Sequence, residues 1–125
     1  MAPTGGYVTT HVLDTAKGCP AVGLKIEVFR LTAADGQETR QHVRETMTND
    51  DGRTDSPIIE KDEIQEAIYE IVFHAGAYLD VAHGKHSGVR FLDQVPIRFG
   101  VTSAAQHYHV PLLLSPFGYA TYRGS

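Results

Sequence analysis

The sequence predicts an all-β sandwich with one short helix, and three observations carry that expectation. Apolar residues recur every second position in several short runs, turn-forming residues separate those runs, and one window has helical spacing. Taken in chain order, Tyr7–Leu13 is β-compatible, although its alternation is noisy. Leu24–Val28 alternates cleanly, with Leu24, Ile26 and Val28 on one face and Lys25 and Glu27 on the other. Arg40–Thr48 is again β-compatible. Asp62–Glu66 is ambiguous, because Ile64 and Ile68 lie four apart and a helix could start there. Tyr69, Ile71 and Phe73 share a face within Ala67–His74. The helix is placed at Ala75–Lys85, where Ala77, Tyr78, Val81 and Ala82 recur at helical spacing with glycine near either end. Val95, Ile97, Phe99 and Val101 occupy alternate positions of one strand, with Arg98 facing away. In Gln106–Leu114 the residues Tyr108, Val110, Leu112 and Leu114 form the apolar face, and His107, His109, Pro111 and Leu113 lie opposite. Pro111 reads as a sign of an edge or a bulge, since it cannot donate to a ladder. Gly118–Arg123 supplies a last strand. The turns fall at Ala34-Asp35-Gly36, at Asn49-Asp50-Asp51-Gly52, at Ser115-Pro116 and at Gly76, Gly84 and Gly88. Seven or eight strands at this spacing make an antiparallel sandwich.

Length and composition bound the function. At 125 residues the chain is expected to form a single domain over residues 1–125. With 11 Lys and Arg against 15 Asp and Glu and no basic cluster, it lacks the footprint of a nucleic-acid binder. One cysteine, Cys19, makes neither an intrachain disulfide nor a thiolate zinc site, and reads as a buried structural thiol. No stretch approaches the roughly 20 apolar residues of a membrane span, and Met1–Gly6 lacks the pattern of a secretory leader. A cytoplasmic protein without a membrane partner is the expectation.

The residues able to do chemistry have bland readings too. His107 and His109 leave the same face of one strand, where they are either two solvated polar residues or two nitrogens converging on a ligand. With His11 they would offer three ligands to zinc or copper, an incomplete set for a structural site. His11 alone is an ordinary strand histidine. Asp14 either orients a histidine or caps the turn that follows, and the turn role fits Thr15–Gly18 better. His83 and His86 read as surface histidines. Arg53, after Asp51-Gly52 at an expected hairpin turn, is either solvated or placed to clamp an anion. The closing Tyr122-Arg123-Gly124-Ser125 is either a frayed tail or a strand end that delivers a phenol and a hydroxyl to a site.

Taken together, Thr9–Asp14, Gly52-Arg53-Thr54-Asp55, His107–Pro116 and Thr121–Ser125 resemble the transthyretin-related 5-hydroxyisourate hydrolases, over nearly the whole chain. Gly18–Ala21 and Phe73–Tyr78 add to the likeness. The terminal Tyr-Arg-Gly-Ser is its most specific element, since it separates the hydrolases from the hormone carrier transthyretin. The resemblance implies a transthyretin-like antiparallel sandwich of two four-stranded sheets with a short helix. It also implies a homotetramer with its active sites at the dimer–dimer interface, and opening of 5-hydroxyisourate to 2-oxo-4-hydroxy-4-carboxy-5-ureidoimidazoline without a metal or organic cofactor. Carried over residue by residue, it makes His11, Arg53, His109 and Ser125 catalytic, with His11, Arg53 and Tyr122 contacting the substrate. A histidine of ordinary pKa near ~6.5 can take a proton from water at neutral pH, a role given to His109 with His11 as its partner. Arg53 would clamp the oxygens on which charge develops. Ala120 departs from the family, which often has serine there. Two other functions stay in view: a carrier of an apolar or aromatic ligand, and a metal-binding protein using His11, His107 and His109.

Overall fold

A computed structural model describes residues 5–125; of the amino-terminal segment read above, residues 1–4 lie outside them. Eight strands form two four-stranded sheets. The first holds β1 (Tyr7–Asp14), β2 (Cys19–Pro20), β7 (His107–Ser115) and β8 (Gly118–Thr121) in the order β2-β1-β7-β8. The second holds β3 (Lys25–Ala34), β4 (Gln37–Met47), β5 (Ala67–His74) and β6 (Gln94–Val101) in the order β4-β3-β5-β6. The predicted faces meet in the core: Ile26, Val28, Tyr69, Ile71, Phe73 and Val95 from one sheet pack with Val8, Val12, Tyr108, Val110, Leu112 and Leu114 from the other. Burying this shared face is what forces the period-two pattern. The Asp35-Gly36 turn has both residues at positive φ, 54° and 77°, the twist that a two-residue hairpin between β3 and β4 requires.

Several local expectations need correcting. Neighbouring strands are antiparallel except β1 and β7, which run parallel with Tyr7 opposite His107 and Asp14 opposite Leu114. Pro111 lies neither on an edge strand nor at a bulge, because β7 sits between β1 and β8. The missing N–H is accommodated where the β8 ladder lapses, between the Leu112–Thr121 pair and the isolated His109–Gly124 bridge. The turn before Arg53 is not a hairpin between adjacent strands. It opens a long connection from β4 to β5, pinned to β1 where Val8 N donates to Ile59 O and Ile58 N donates to Val8 O, both at 2.9 Å. Asp62–Glu66 makes no helix; Glu63 N and Ile64 N close a single turn on Glu60 O. The helix α1 (Ala75–His83) ends two residues early and buries Ala75, Gly76, Tyr78 and Leu79, leaving Ala77 and Val81 exposed. Its docking face is set by what lies beneath it, and Val81 is apolar without being core. Cys19 is exposed on the short strand β2.

Asp14 and His83 differ most from expectation. Asp14 is fully buried, and its Oδ1 accepts from Ala16 N and Lys17 N at 3.1 and 3.0 Å, the expected turn cap. Its Oδ2 accepts from the Tyr78 hydroxyl and from Nε2 of His83, both at 2.7 Å, so His83 is a helix-docking residue and not a surface one. Burial alone would raise the Asp14 pKa, but the Tyr78, His83 and Lys17 donors outweigh it and hold the carboxyl below the ordinary range. The same contact works in reverse on Tyr78, whose phenol burial and Asp14 push up. A carboxyl depressed in the folded state stabilises above the unfolded aspartate value of about 4, and that stability is lost as pH falls through the folded value. Asp14→Ala leaves the Tyr78 hydroxyl, His83 Nε2 and the Ala16 and Lys17 N–H groups without this acceptor and is expected to cost about 3 kcal/mol, read as a lower urea midpoint at pH 7. A midpoint equal to the parent's would show that α1 docks without this carboxylate.

Candidate active site

The outer faces of the two sheets differ in kind. On the β3–β6 sheet the polar groups satisfy one another: Glu70 takes Arg40 and Arg98 at 2.9 and 2.8 Å, and Arg98 forks onto Glu38. The β1–β7 face instead gathers imidazoles. Because Val8, Val12, Tyr108, Val110 and Leu112 point into the core, alternation sends Tyr7, Thr9 and His11 out beside His107 and His109. The parallel register sets Thr9 directly opposite His109, and its Oγ1 lies 2.7 Å from His107 Nε2 and 2.8 Å from His109 Nδ1. Tyr7 stacks on His107 with ring centroids 4.2 Å apart.

Two close backbone approaches bring the other groups in. Asn49 folds the segment before Arg53, its Oδ1 accepting from Asp51 N and Arg53 N at 2.9 and 3.2 Å. Gly52, at φ 73°, then presses on β1, where Val12 N donates to Gly52 O at 2.8 Å. A Cβ there would stand 2.5 Å from Val12 O and 3.3 Å from the His11 ring, so only glycine fits both the conformation and the space. At the other end, the chain past β8 does not fray: Gly124 N donates to His109 O at 2.8 Å, and the Arg123 guanidinium lies over the Tyr108 ring at 4.5 Å. A Cβ on Gly124 would meet His109 Cδ2 at 2.5 Å. The terminal residues are thereby folded against the imidazole.

The result is an open cavity of about 530 Å³ whose wall includes Arg53, His107, His109, Tyr122 and Ser125 together with Tyr7 and Thr9. Four residues singled out from sequence, Arg53, His109, Tyr122 and Ser125, thus share one cavity. His11 is outside its wall, with its ring against the Gly52 turn, yet close enough to act on His109 through charge. Ala120 pairs with Leu113 in β8 and also lies off the wall. His109 is half-buried, and its pKa is lowered first by desolvation and then electrostatically by Arg53, with smaller contributions from His107 and His11. A neutral imidazole beside a guanidinium can accept a proton while its neighbour binds developing negative charge.

Sequence reasoning assigned no role of their own to Thr9, Tyr7 and Gly124, although Thr9 and Gly124 stand inside motifs that carried the resemblance. Each is an ordinary strand or tail residue in a linear reading, and only the pairing of segments 100 positions apart gives Thr9 its place. As for metals, His107 and His109 each direct a nitrogen at Thr9. The group with ligand-like spacing among the described residues is Glu27, His42 and Glu45 on the other sheet, where Glu27 already pairs with His74 at 2.8 Å and His42 at 3.2 Å.

Comparison with known proteins agrees with this geometry. The family model for the HIUase/Transthyretin family matches residues 8–124. The chain is 52% identical over 120 residues to 5-hydroxyisourate hydrolase 2 of Rhizobium meliloti (strain 1021), covering 96% of this chain and 97% of that one. Among solved structures it is similar to an (S)-allantoin synthase, with TM-score 0.87, 41% identity and coverage of 99% of this chain but 45% of that one. It also resembles sea bream transthyretin, solved in complex with thyroxine, with TM-score 0.78, 25% identity and coverage of 94% and 93%. A synthase and a thyroxine-bound transthyretin therefore share this sandwich, so function has to be argued from the site. On a match that runs from the first core valine to the glycine beside His109, this chain belongs to the HIUase/Transthyretin family.

Proposed function

We infer that this protein hydrolyses 5-hydroxyisourate to 2-oxo-4-hydroxy-4-carboxy-5-ureidoimidazoline, a step in urate degradation. The observation that carries the reading is the half-buried, proton-poor His109 beside Arg53 on the wall of a cavity that the carboxy-terminal residues help to line. Water adds to a ring carbonyl while His109 takes its proton. The carbonyl oxygen becomes anionic as the carbon turns tetrahedral, and Arg53, always protonated, offers it paired N–H donors. The ring C–N bond then breaks, and the proton held by the imidazole goes to the departing nitrogen. Tyr122 packs on the heterocycle, and the Ser125 hydroxyl hydrogen-bonds the substrate or the attacking water. His11 adds the smallest of the electrostatic effects that lower the His109 pKa, and its ring stands against the Gly52 turn.

The single chain leaves this cavity open, and aromatic residues that line it are uncovered: Tyr122 is 57% exposed and Tyr7 37%. A homotetramer in which a partner subunit covers the β1–β7 face fits both facts, and residues 1–125 act as one domain within it. Among the described residues no helix is long and apolar enough to cross a membrane. We place the protein in the cytoplasm, where urate oxidation would supply its substrate.

The test generates 5-hydroxyisourate in the cuvette from urate and urate oxidase and follows its ultraviolet absorbance. Decay should accelerate in proportion to added protein. Decay at the spontaneous rate, with folded protein present, would overturn the reading and leave a carrier of aromatic ligands as the alternative.

A further inference from the structure

We propose that Thr9 and His107 act with His109 as a hydrogen-bonded relay that fixes the reactive nitrogen of His109. The inference rests on the hydrolase reading for its kinetic consequence, but the relay itself is a property of three side chains. Nδ1 of His109 is engaged by Thr9 Oγ1 at 2.8 Å, so Nε2 is the nitrogen left for substrate and water. Nε2 is a base only if Nδ1 carries the proton of the neutral ring. That tautomer donates Nδ1–H to Thr9 and obliges the hydroxyl to send its single proton elsewhere. The acceptor is present: His107 Nε2 lies 2.7 Å from the same oxygen. Its ring is held in place by the stack on Tyr7. Each hydrogen bond polarises the next, which makes Thr9 a better acceptor for His109 than an isolated hydroxyl would be.

The same chain can move charge. After His109 takes a proton at Nε2, the ring is an imidazolium in a half-buried place beside Arg53. Breaking the His109 Nδ1–H bond while forming Thr9 O–H, and breaking the original Thr9 O–H while forming His107 Nε2–H, conserves every proton. It transfers the positive charge to His107, which is exposed to water. His109 is left neutral with Nε2–H. As the departing ring nitrogen takes the Nε2 proton the hops reverse: His107 Nε2–H returns its proton to the Thr9 oxygen, Thr9 returns one to His109 Nδ1, and His109 is again the neutral Nδ1–H ring with which it began. Thr9 is thus a positioning residue that lets one imidazole serve first as base and then as acid.

Thr9→Val keeps the branched shape and strand preference while removing the hydroxyl, and Thr9→Ser restores the hydroxyl. In the intact protein, Thr9→Val is expected to lower kcat by roughly 10- to 100-fold, with KM nearly unchanged, the scale at which a mis-set catalytic group is felt. Thr9→Ser should recover most of the loss, and His107→Phe, which keeps a ring to stack on Tyr7, should share the defect. Long-range proton–nitrogen NMR of the His109 ring gives the readout that packing alone would not move: Nδ1–H in the parent and in Thr9→Ser, with Nε2–H dominant in Thr9→Val. Parental kcat in Thr9→Val, or an Nε2–H ring in the parent, would overturn the relay. An inactive parent whose His109 is nonetheless Nδ1–H would sink the hydrolase reading and leave the relay standing.

Discussion

His109→Ala should fold normally and lose turnover by about 10²-fold or more, because it removes the group that takes the proton from water. Its core is untouched: His109 leaves the outer face of β7, and its core-side neighbours Tyr108 and Val110 keep their contacts. The pH dependence supplies a second signature. Desolvation, then Arg53, His107 and His11, hold His109 below the ordinary histidine range. The active form is the neutral one, so kcat/KM should be flat through neutrality and fall only as pH drops below the usual value near ~6.5. Arg53→Gln removes the cation with the largest electrostatic effect on His109 and should shift that acid limb to higher pH, besides slowing the reaction by loss of the clamp. Near-parental turnover in His109→Ala would remove His109 from the chemistry. An acid limb unmoved by Arg53→Gln would show that Arg53 does not set the proton affinity of the base.

What the sequence made legible follows the reach of each physical rule. Period-two alternation is local, and it placed Tyr69, Ile71 and Phe73, and Tyr108, Val110, Leu112 and Leu114, on the buried side correctly. The Asp35-Gly36 hairpin was equally plain, because its two positive φ angles are a property of two adjacent residues. The parallel pairing of β1 with β7 was not, since nothing in Tyr7–Asp14 specifies a neighbour 100 residues away. That one pairing hides most of what was missed in the site. It puts Thr9 between two imidazoles, and it puts Pro111 inside a sheet, where the rule about edges fails. His83 was misjudged for the same reason: its acceptor, Asp14, belongs to a strand 69 positions earlier. Val81 shows the opposite failure, an apolar residue at helical spacing that faces water because the helix turns a different side to the core. Arg53, His109, Tyr122 and Ser125 were found through the motif resemblance. Their linear contexts gave each at least one bland alternative, and only the fold brings them to one cavity.

Deletion of Tyr122–Ser125 should abolish measurable catalysis while leaving the thermal transition within a few degrees of the parent. The two effects separate because of where the tail is held. It adds no residue to the buried core, but it helps to line the cavity and, through the bond from Gly124 N to His109 O, fixes the backbone of the base. Gly124→Ala isolates the second contribution. Its new methyl would lie 2.5 Å from His109 Cδ2 and 3.2 Å from Cβ and Cγ, so either the ring or the tail must shift. The ring has little freedom, being tied to Thr9 through Nδ1. A displacement on the order of an ångström between base and substrate costs about 10²-fold in rate, and the loss should appear in kcat with the fold intact by circular dichroism. If Gly124→Ala turned over like the parent while the deletion were dead, the tail would act through Tyr122 and Ser125 alone. A fully active deletion would show that the terminal residues, though ordered against His109, take no part in the reaction.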